Sequence, residues 1–255
     1  MAWANFFFLL LIASSVALIT YNTIFSANAS LRQDFPGPSL TNSGRFDPVI
    51  RMPTNSPSAK KKRLFHTVLT ASDAIYNAWQ SRVMYYWYKK HKDDPDSEMG
   101  GFTRILHSGA PDRFMDEIPT FVAQPLSEDA HKGFIVLCRS WGIVQWLQQV
   151  EIEEDYILMA EPDHLIVRPI PNLSKNGFAA AYSFFYIAPT QFETILRKYY
   201  PLSKGRISDI DPIGNSPVII HKFDLKKVAP TWMKVSLQMK QDPEADKAFG
   251  WVLDM

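Results

Sequence analysis

Residues 155–169 read DYILMAEPDHLIVRP, and the fold turns on how that stretch divides. Tyr156 to Ala160 are five apolar residues in a row, the pattern of a strand buried on both faces. The run stops at Glu161, Asp163 and His164, with the rigid Pro162 between the two acids. An unpaired carboxylate in a core costs several kcal/mol, so the acids stand where the strand leaves the core, and a cation is expected beside them. In an open α/β sheet, ligands gather outside the carboxyl ends of strands. Residues i and i+2 of an extended chain project to the same side, which lets Glu161 and Asp163 share one hard divalent cation. Manganese or magnesium fits such oxygen ligands better than zinc. A plain surface turn carries the same acid-x-acid spacing and is the alternative.

Outward from this stretch, short apolar runs alternate with helical patterns. LFHTVLTA (64–71) reads as a strand leading into a helix from Asp73 to Lys90, with Ile75, Trp79, Val83 and Tyr86 at near-helical spacing and Ser72 or Asp73 as its cap. FTRILHS and FIVLC read as further strands, SWGIVQWLQQV as a helix, GFAAAYSFFY as a strand and PTQFETILRKYY as a helix with Pro at its first turn. PVII is a strand, and FDLKKVAPTWMKVSLQMK and PEADKAFGWVLDM are helical patterns. Strand and helix in alternation predict an α/β layered domain with a largely parallel sheet.

The amino terminus has a different character. Residues 6–25 carry no charged group, and at helical rise they match a hydrocarbon core about 30 Å thick. This predicts an N-terminal transmembrane signal-anchor within residues 1–30; a cleaved signal peptide is the competing reading, since Ala27 and Ala29 form an A-x-A-like site. Residues 31–62, rich in Pro, Ser, Asn and Gly over most of their length, read as a flexible stem, and residues 63–255 as the folded domain. Sequons at Asn28 and Asn172 are compatible with a lumenal location.

Composition narrows the classes further. The chain has 255 residues, 46% hydrophobic, enough for a substantial core. Net charge is +1, so there is no basic field of the kind that gathers nucleic acid. The single cysteine, Cys138, excludes an internal disulfide and a cysteine-rich zinc site and reads as a core thiol. His66 and His107 read as structural histidines, and YYWYKK (85–90) as core with a basic edge.

Two more constellations stand out. In DIDPIGNSP (209–217), Gly214 and Asn215 before a strand read as a turn whose backbone can approach a ligand; a tight loop with no ligand is the alternative. In PEADKAF, Glu244 and Asp246 follow Pro243 at a helix start, where the positive helix end alone explains acids; a catalytic role is the other reading.

Longer words then carry a resemblance: HTVLTASDAIYNAWQSRVMYYWYKK, MGGFTRILHSG, DEIPTFVAQPL, VQWLQQ, EDYILMAEPDHLIVRPIPNL, DIDPIGNSPVI, APTWMKVSL and DPEADKAFGWVL. They resemble the plant hydroxyproline O-arabinosyltransferases, over the anchor and essentially everything from about residue 63. The resemblance implies a single-pass type II Golgi membrane protein of GT-A-like nucleotide-sugar transferase fold. Such enzymes transfer L-arabinofuranose from UDP-β-L-arabinofuranose to hydroxyproline in extensins and small signalling peptides. It implies that Asp163, with Glu161 or His164, holds Mn²⁺ (or Mg²⁺) against the diphosphate. It also implies that Thr70, Ser72 and Asp73 meet the uridine end, that Gly214 and Asn215 lie near donor and acceptor, and that Glu244 or Asp246 faces the acceptor. Members of the family continue past Met255 with an IHYTYG-like segment, so a non-catalytic anchored form that binds donor, acceptor or a full-length partner is a second expectation. The residues alone also admit a lumenal metal-dependent phosphohydrolase.

Overall fold

The computed structural model describes residues 62–250. The predicted anchor at 1–30, the stem at 31–62 apart from its last residue, and the last five residues, 251–255, lie outside the described residues.

Six strands form one sheet: β1 (Phe65–Ala71), β2 (Met99–Leu106), β3 (Thr120–Val122), β4 (Tyr156–Ala160), β5 (Ala180–Ser183) and β6 (Ile213–His221). Their spatial order is β3-β2-β1-β4-β6-β5. The pairings from β3 through β4 are parallel, and β6 runs antiparallel to both β4 and β5. The expected largely parallel sheet is therefore present, with one reversed strand. The chain steps outward from β1 to β2 and β3, then returns to place β4 on the other side of β1. That reversal makes a topological switch point between β1 and β4.

Right-handed crossovers in opposite directions put helices on opposite faces. Helix α1 (Ile75–Lys92) joins β1 to β2, and its Met84 and Tyr88 pack on Phe65, Leu69, Phe102 and Leu158. After the short α2 (Glu128–His131), α3 (Cys138–Gln149) leads back to β4. On the far face its Ile143, Trp146 and Leu147 pack with Val68, Ile105 and Ile157. The neighbours Val68 and Leu69 thus serve different cores, as the two-residue period of a strand requires. Helix α5 (Lys222–Gln241) joins α3's layer through Leu225 and Ala229. The short α4 (Glu193–Leu196) and α6 (Pro243–Phe249) follow the same order along the chain. Among the described residues no helix is long and apolar enough to cross a membrane.

Several expectations are corrected. FIVLC is a 3-10 turn, Ile135–Leu137, running into α3 rather than a strand; a short apolar run cannot be told from a buried helical segment by periodicity. The stripe of Ile75, Trp79 and Tyr86 on α1 faces outward, exposed by 83%, 50% and 58%, while Gln80 and Ser81 are buried. The N-cap of α1 is Ala74, although the Ser72 hydroxyl accepts its N–H at 3.4 Å and donates to Asn77 at 2.6 Å. The segment read as helix from Pro189 is two short turns, Pro189–Phe192 and Glu193–Leu196. Gly214 and Asn215 lie within β6, not in a turn before it.

A buried ion pair braces the connection from β2 to β3. Arg104 is fully buried and gives Asp112 two hydrogen bonds, at 2.8 and 2.7 Å, and one to Thr120 at 3.0 Å. The Arg104 guanidinium holds the Asp112 carboxyl below its ordinary range. Asn172 is buried too, its carboxamide bonded to Arg63, so in the fold this sequon is a structural joint.

Candidate active site at the strand ends

The β1/β4 switch point collects polar groups at the carboxyl ends of the parallel strands. Leaving β4, Glu161 is partly exposed, Pro162 is buried and Asp163 is exposed. The cation required beside Glu161 is a side chain. Arg139, at the start of α3, holds both Glu161 oxygens, with Nη2 to Oε2 at 2.7 Å and Nη1 on Oε1. The same Nη1 donates to Asn215 Oδ1 at 3.0 Å. One guanidinium thus joins α3, the turn after β4 and the reversed strand β6.

His164 folds back over the turn, its Nδ1 accepting the Glu161 backbone N–H at 3.3 Å. Burial pushes this imidazole below its ordinary value, Asp163 and Glu161 opposing and Arg139 adding to the push. With Nδ1 accepting, the neutral ring carries its proton on Nε2, which is a donor and not a metal ligand. A second histidine stands at the end of β2. His107 is 7% exposed, its Nδ1 finds no partner among the described residues, and its backbone N–H reaches Ala71 O at 3.1 Å. Burial lowers it to about 4; the Arg139 charge works in the same direction and Asp73 against it.

On the β1 side, Thr70 is buried in the strand, and Ser72 is tied to Asn77. Asp73 borders a cavity of about 460 Å³ whose other walls include Trp79, Arg82, Arg113 and Phe114. On the β6 side, Gly214 is required by contact: a Cβ there would overlap the Phe184 ring. The structure therefore brings 70–73, 161–164 and 214–215 to one end of the sheet. Glu244 and Asp246 are elsewhere, on α6 beside a satellite core of Met239, Ala245 and Phe249. Glu244 is bonded to Lys198 at 2.7 Å and Asp246 to Lys240 at 2.8 Å. Both acids are thus engaged by lysines, apart from the Glu161 group.

The residues fit a hard cation only in part. Both Glu161 oxygens are committed to Arg139, which takes that carboxylate out of the ligand set. Of the expected ligands only the Asp163 carboxylate remains, since His164 Nε2 bears the ring proton, and among the described residues no three acids, histidines or cysteines cluster as a metal site. Any cation here relies on oxygens that a substrate brings.

Sequence reasoning missed Arg139 and His107. Arg139 carries no motif, lying between FIVLC and the helix SWGIVQWLQQV, and His107 reads as a structural histidine. The demand for a cation beside Glu161 was the one signal that pointed to Arg139.

This arrangement defines an α/β domain with a polar switch point between parallel strands. Comparison with known proteins gives its kinship. A family model described as "Hydroxyproline O-arabinosyltransferase family N-terminal domain" matches residues 65–255. Hydroxyproline O-arabinosyltransferase 1 of Arabidopsis thaliana is 64% identical over 98% of this chain and 70% of its own length. Hydroxyproline O-arabinosyltransferase 2 of the same plant is 59% identical over 98% of this chain and 69% of its own. The chain belongs to the hydroxyproline O-arabinosyltransferase family. Among solved structures it is similar to mouse xyloside xylosyltransferase 1 in its apo form, with TM-score 0.39 and 11% identity over 69% of this chain and 75% of that one. Similarity to the mannosyltransferase Ktr4p of S. cerevisiae has TM-score 0.38 and 9% identity, over 91% and 72%.

Proposed function

We propose that this chain is a GT-A-type glycosyltransferase that moves L-arabinofuranose from UDP-β-L-arabinofuranose to the hydroxyl of hydroxyproline in secreted plant proteins. The observation that carries this reading is the gathering of 70–73 and 161–164 at one switch point in a chain of this family. The uridine end lies against 70–73 and the cavity beside Asp73, and the diphosphate reaches toward Asp163. The C1–O bond to the diphosphate breaks, its electron pair leaving on UDP. The hydroxyproline oxygen bonds to C1, and its proton passes to the solution. Asp163 would hold Mn²⁺ or Mg²⁺ together with oxygens that the diphosphate brings, with His164 Nε2–H a donor to a phosphate oxygen or a water; such an ion would neutralise charge developing on UDP. Arg139 orients the turn, and Asn215 couples it to β6. On this reading residues 6–25 anchor the protein in the Golgi membrane with the domain lumenal.

The test incubates the full chain with UDP-β-L-arabinofuranose, Mn²⁺ and a hydroxyproline peptide and weighs the peptide by mass spectrometry. One added pentose that disappears on chelation is expected. A second reading, binding without turnover, is favoured by the commitment of Glu161, Glu244 and Asp246 to Arg139, Lys198 and Lys240. UDP binding with an unmodified peptide, while a relative of full family length is active alongside, would move the assignment to that form.

A further inference from the structure

We infer that Arg139 is a positioning residue that holds the switch point to a single free carboxylate, so that a nucleoside diphosphate can enter it. The inference rests on the proposed donor site and assigns a role that the Glu161-Pro162-Asp163 pattern does not show.

The geometry makes the pair more than a surface ion pair. Arg139 and Glu161 are 18% and 25% exposed, and the contact is bidentate, the arrangement in which arginine and carboxylate match best. The third bond, to Asn215, fixes the guanidinium from the β6 side. With Glu161 neutralised, Asp163 alone carries free negative charge in the turn. A nucleoside diphosphate sugar brings two negative charges, and a dication balances them. A second free carboxylate at Glu161 would act on both phosphates in a partly desolvated site, where like charges repel far more strongly than in water.

This assigns opposite signs to two ligands. Without Arg139, Glu161 becomes a free acid that attracts a bare cation and repels the nucleotide. A purely structural brace, when removed, weakens both. The test takes the full chain as parent, Arg139→Gln, Glu161→Gln and the double variant. Free Mn²⁺ is read by electron paramagnetic resonance without nucleotide, UDP affinity by calorimetry at fixed Mn²⁺, and folding by Tm.

Arg139→Gln is expected to weaken UDP roughly tenfold while binding Mn²⁺ at least as well as the parent, and adding Glu161→Gln to return UDP affinity to within about threefold. Loss of both ligands together, unrescued in the double variant, overturns the inference. So does a Glu161→Gln variant that loses Mn²⁺ as severely as Asp163→Asn, which would make Glu161 a ligand. If Arg139→Gln does not fold, the double variant, which removes both members of the pair, decides alone: UDP affinity within threefold of the parent supports the role, and a tenfold loss rejects it. A parent that binds no UDP in Mn²⁺ removes the donor site itself; a parent that binds UDP with unrescued variants removes only the role of Arg139.

Discussion

Glu161 and Asp163, and Glu244 and Asp246, are the same two acids at the same spacing, one pair after a buried strand and the other in the first turn of a helix. After β4 the chain turns at the mouth of the sheet, where Arg139 neutralises the first acid and the second stays exposed. On α6, residues i and i+2 point away from each other; Glu244 turns to Lys198 and Asp246 to Lys240, while Asp242 caps the helix through the N–H groups of Glu244 and Ala245. The backbone thus decides whether two carboxylates share a ligand or find separate lysines. An acid-x-acid pattern acquires chemical meaning only with the strand before it and the charges that converge on it.

The strongest way to sharpen that contrast is to break the pair whose arginine is fully buried. Arg104→Ala leaves Asp112 beside the core without its partner, and is expected to cost about 3–5 kcal/mol in a denaturant melt. A loss near that of an exposed pair would mean that the β2 to β3 connection relaxes into water and that burial is a poor guide here. Next in size, Asp163→Asn should weaken metal-dependent UDP binding by roughly a hundredfold and Asp246→Asn by less than about twofold, the difference between losing a ligand and losing a lysine partner. Equal titration curves for Asp163→Asn and the parent would remove Asp163 from the site, and a large loss in Asp246→Asn would unite the two acidic pairs after all.

The smallest effect is a pH dependence confined to α6. Lys198 lowers the Asp242 carboxyl to about 2 against the opposing effect of burial, helped by the Glu244 N–H and the Tyr199 hydroxyl. A depressed carboxylate stabilises the fold above its unfolded value and loses that contribution as pH falls through the folded one. The Tm advantage of the parent over Asp242→Asn is therefore expected to hold above a pH of about 3.8 and to fade as pH falls towards about 2. No advantage at any pH across that window would show that the cap, which asparagine also supplies, is the whole of the interaction.

Much of the sheet was legible in the chain because its inner strands carry apolar runs. The run is continuous in β4, shorter in β1, β2 and the PVII of β6, while the first residues of β6, IGNSP, read as a turn. What escaped was local: β3 is three residues long, and FIVLC has the composition of a strand without its conformation. On α1 the outward stripe of Ile75, Trp79 and Tyr86 misled, because periodicity reports that a face exists and not which way it turns. For the site, the region was readable from the acids that end β4. The partner was not, since Arg139 lies far back in the chain and only the fold sets it against Glu161.

The reversed strand has one more consequence. Because β6 runs against its neighbours, it begins at the edge where the parallel strands end, and Ser183 lies opposite Ile213 in the ladder. The intervening residues, 184–212, leave the sheet and re-enter it at nearly one point, clasped by the bond from the Phe184 N–H to Pro212 O at 2.7 Å. A segment with adjoining ends is an exchangeable cassette: relatives can diverge there, and an engineer can graft a substitute there, without shifting the register of the four parallel strands.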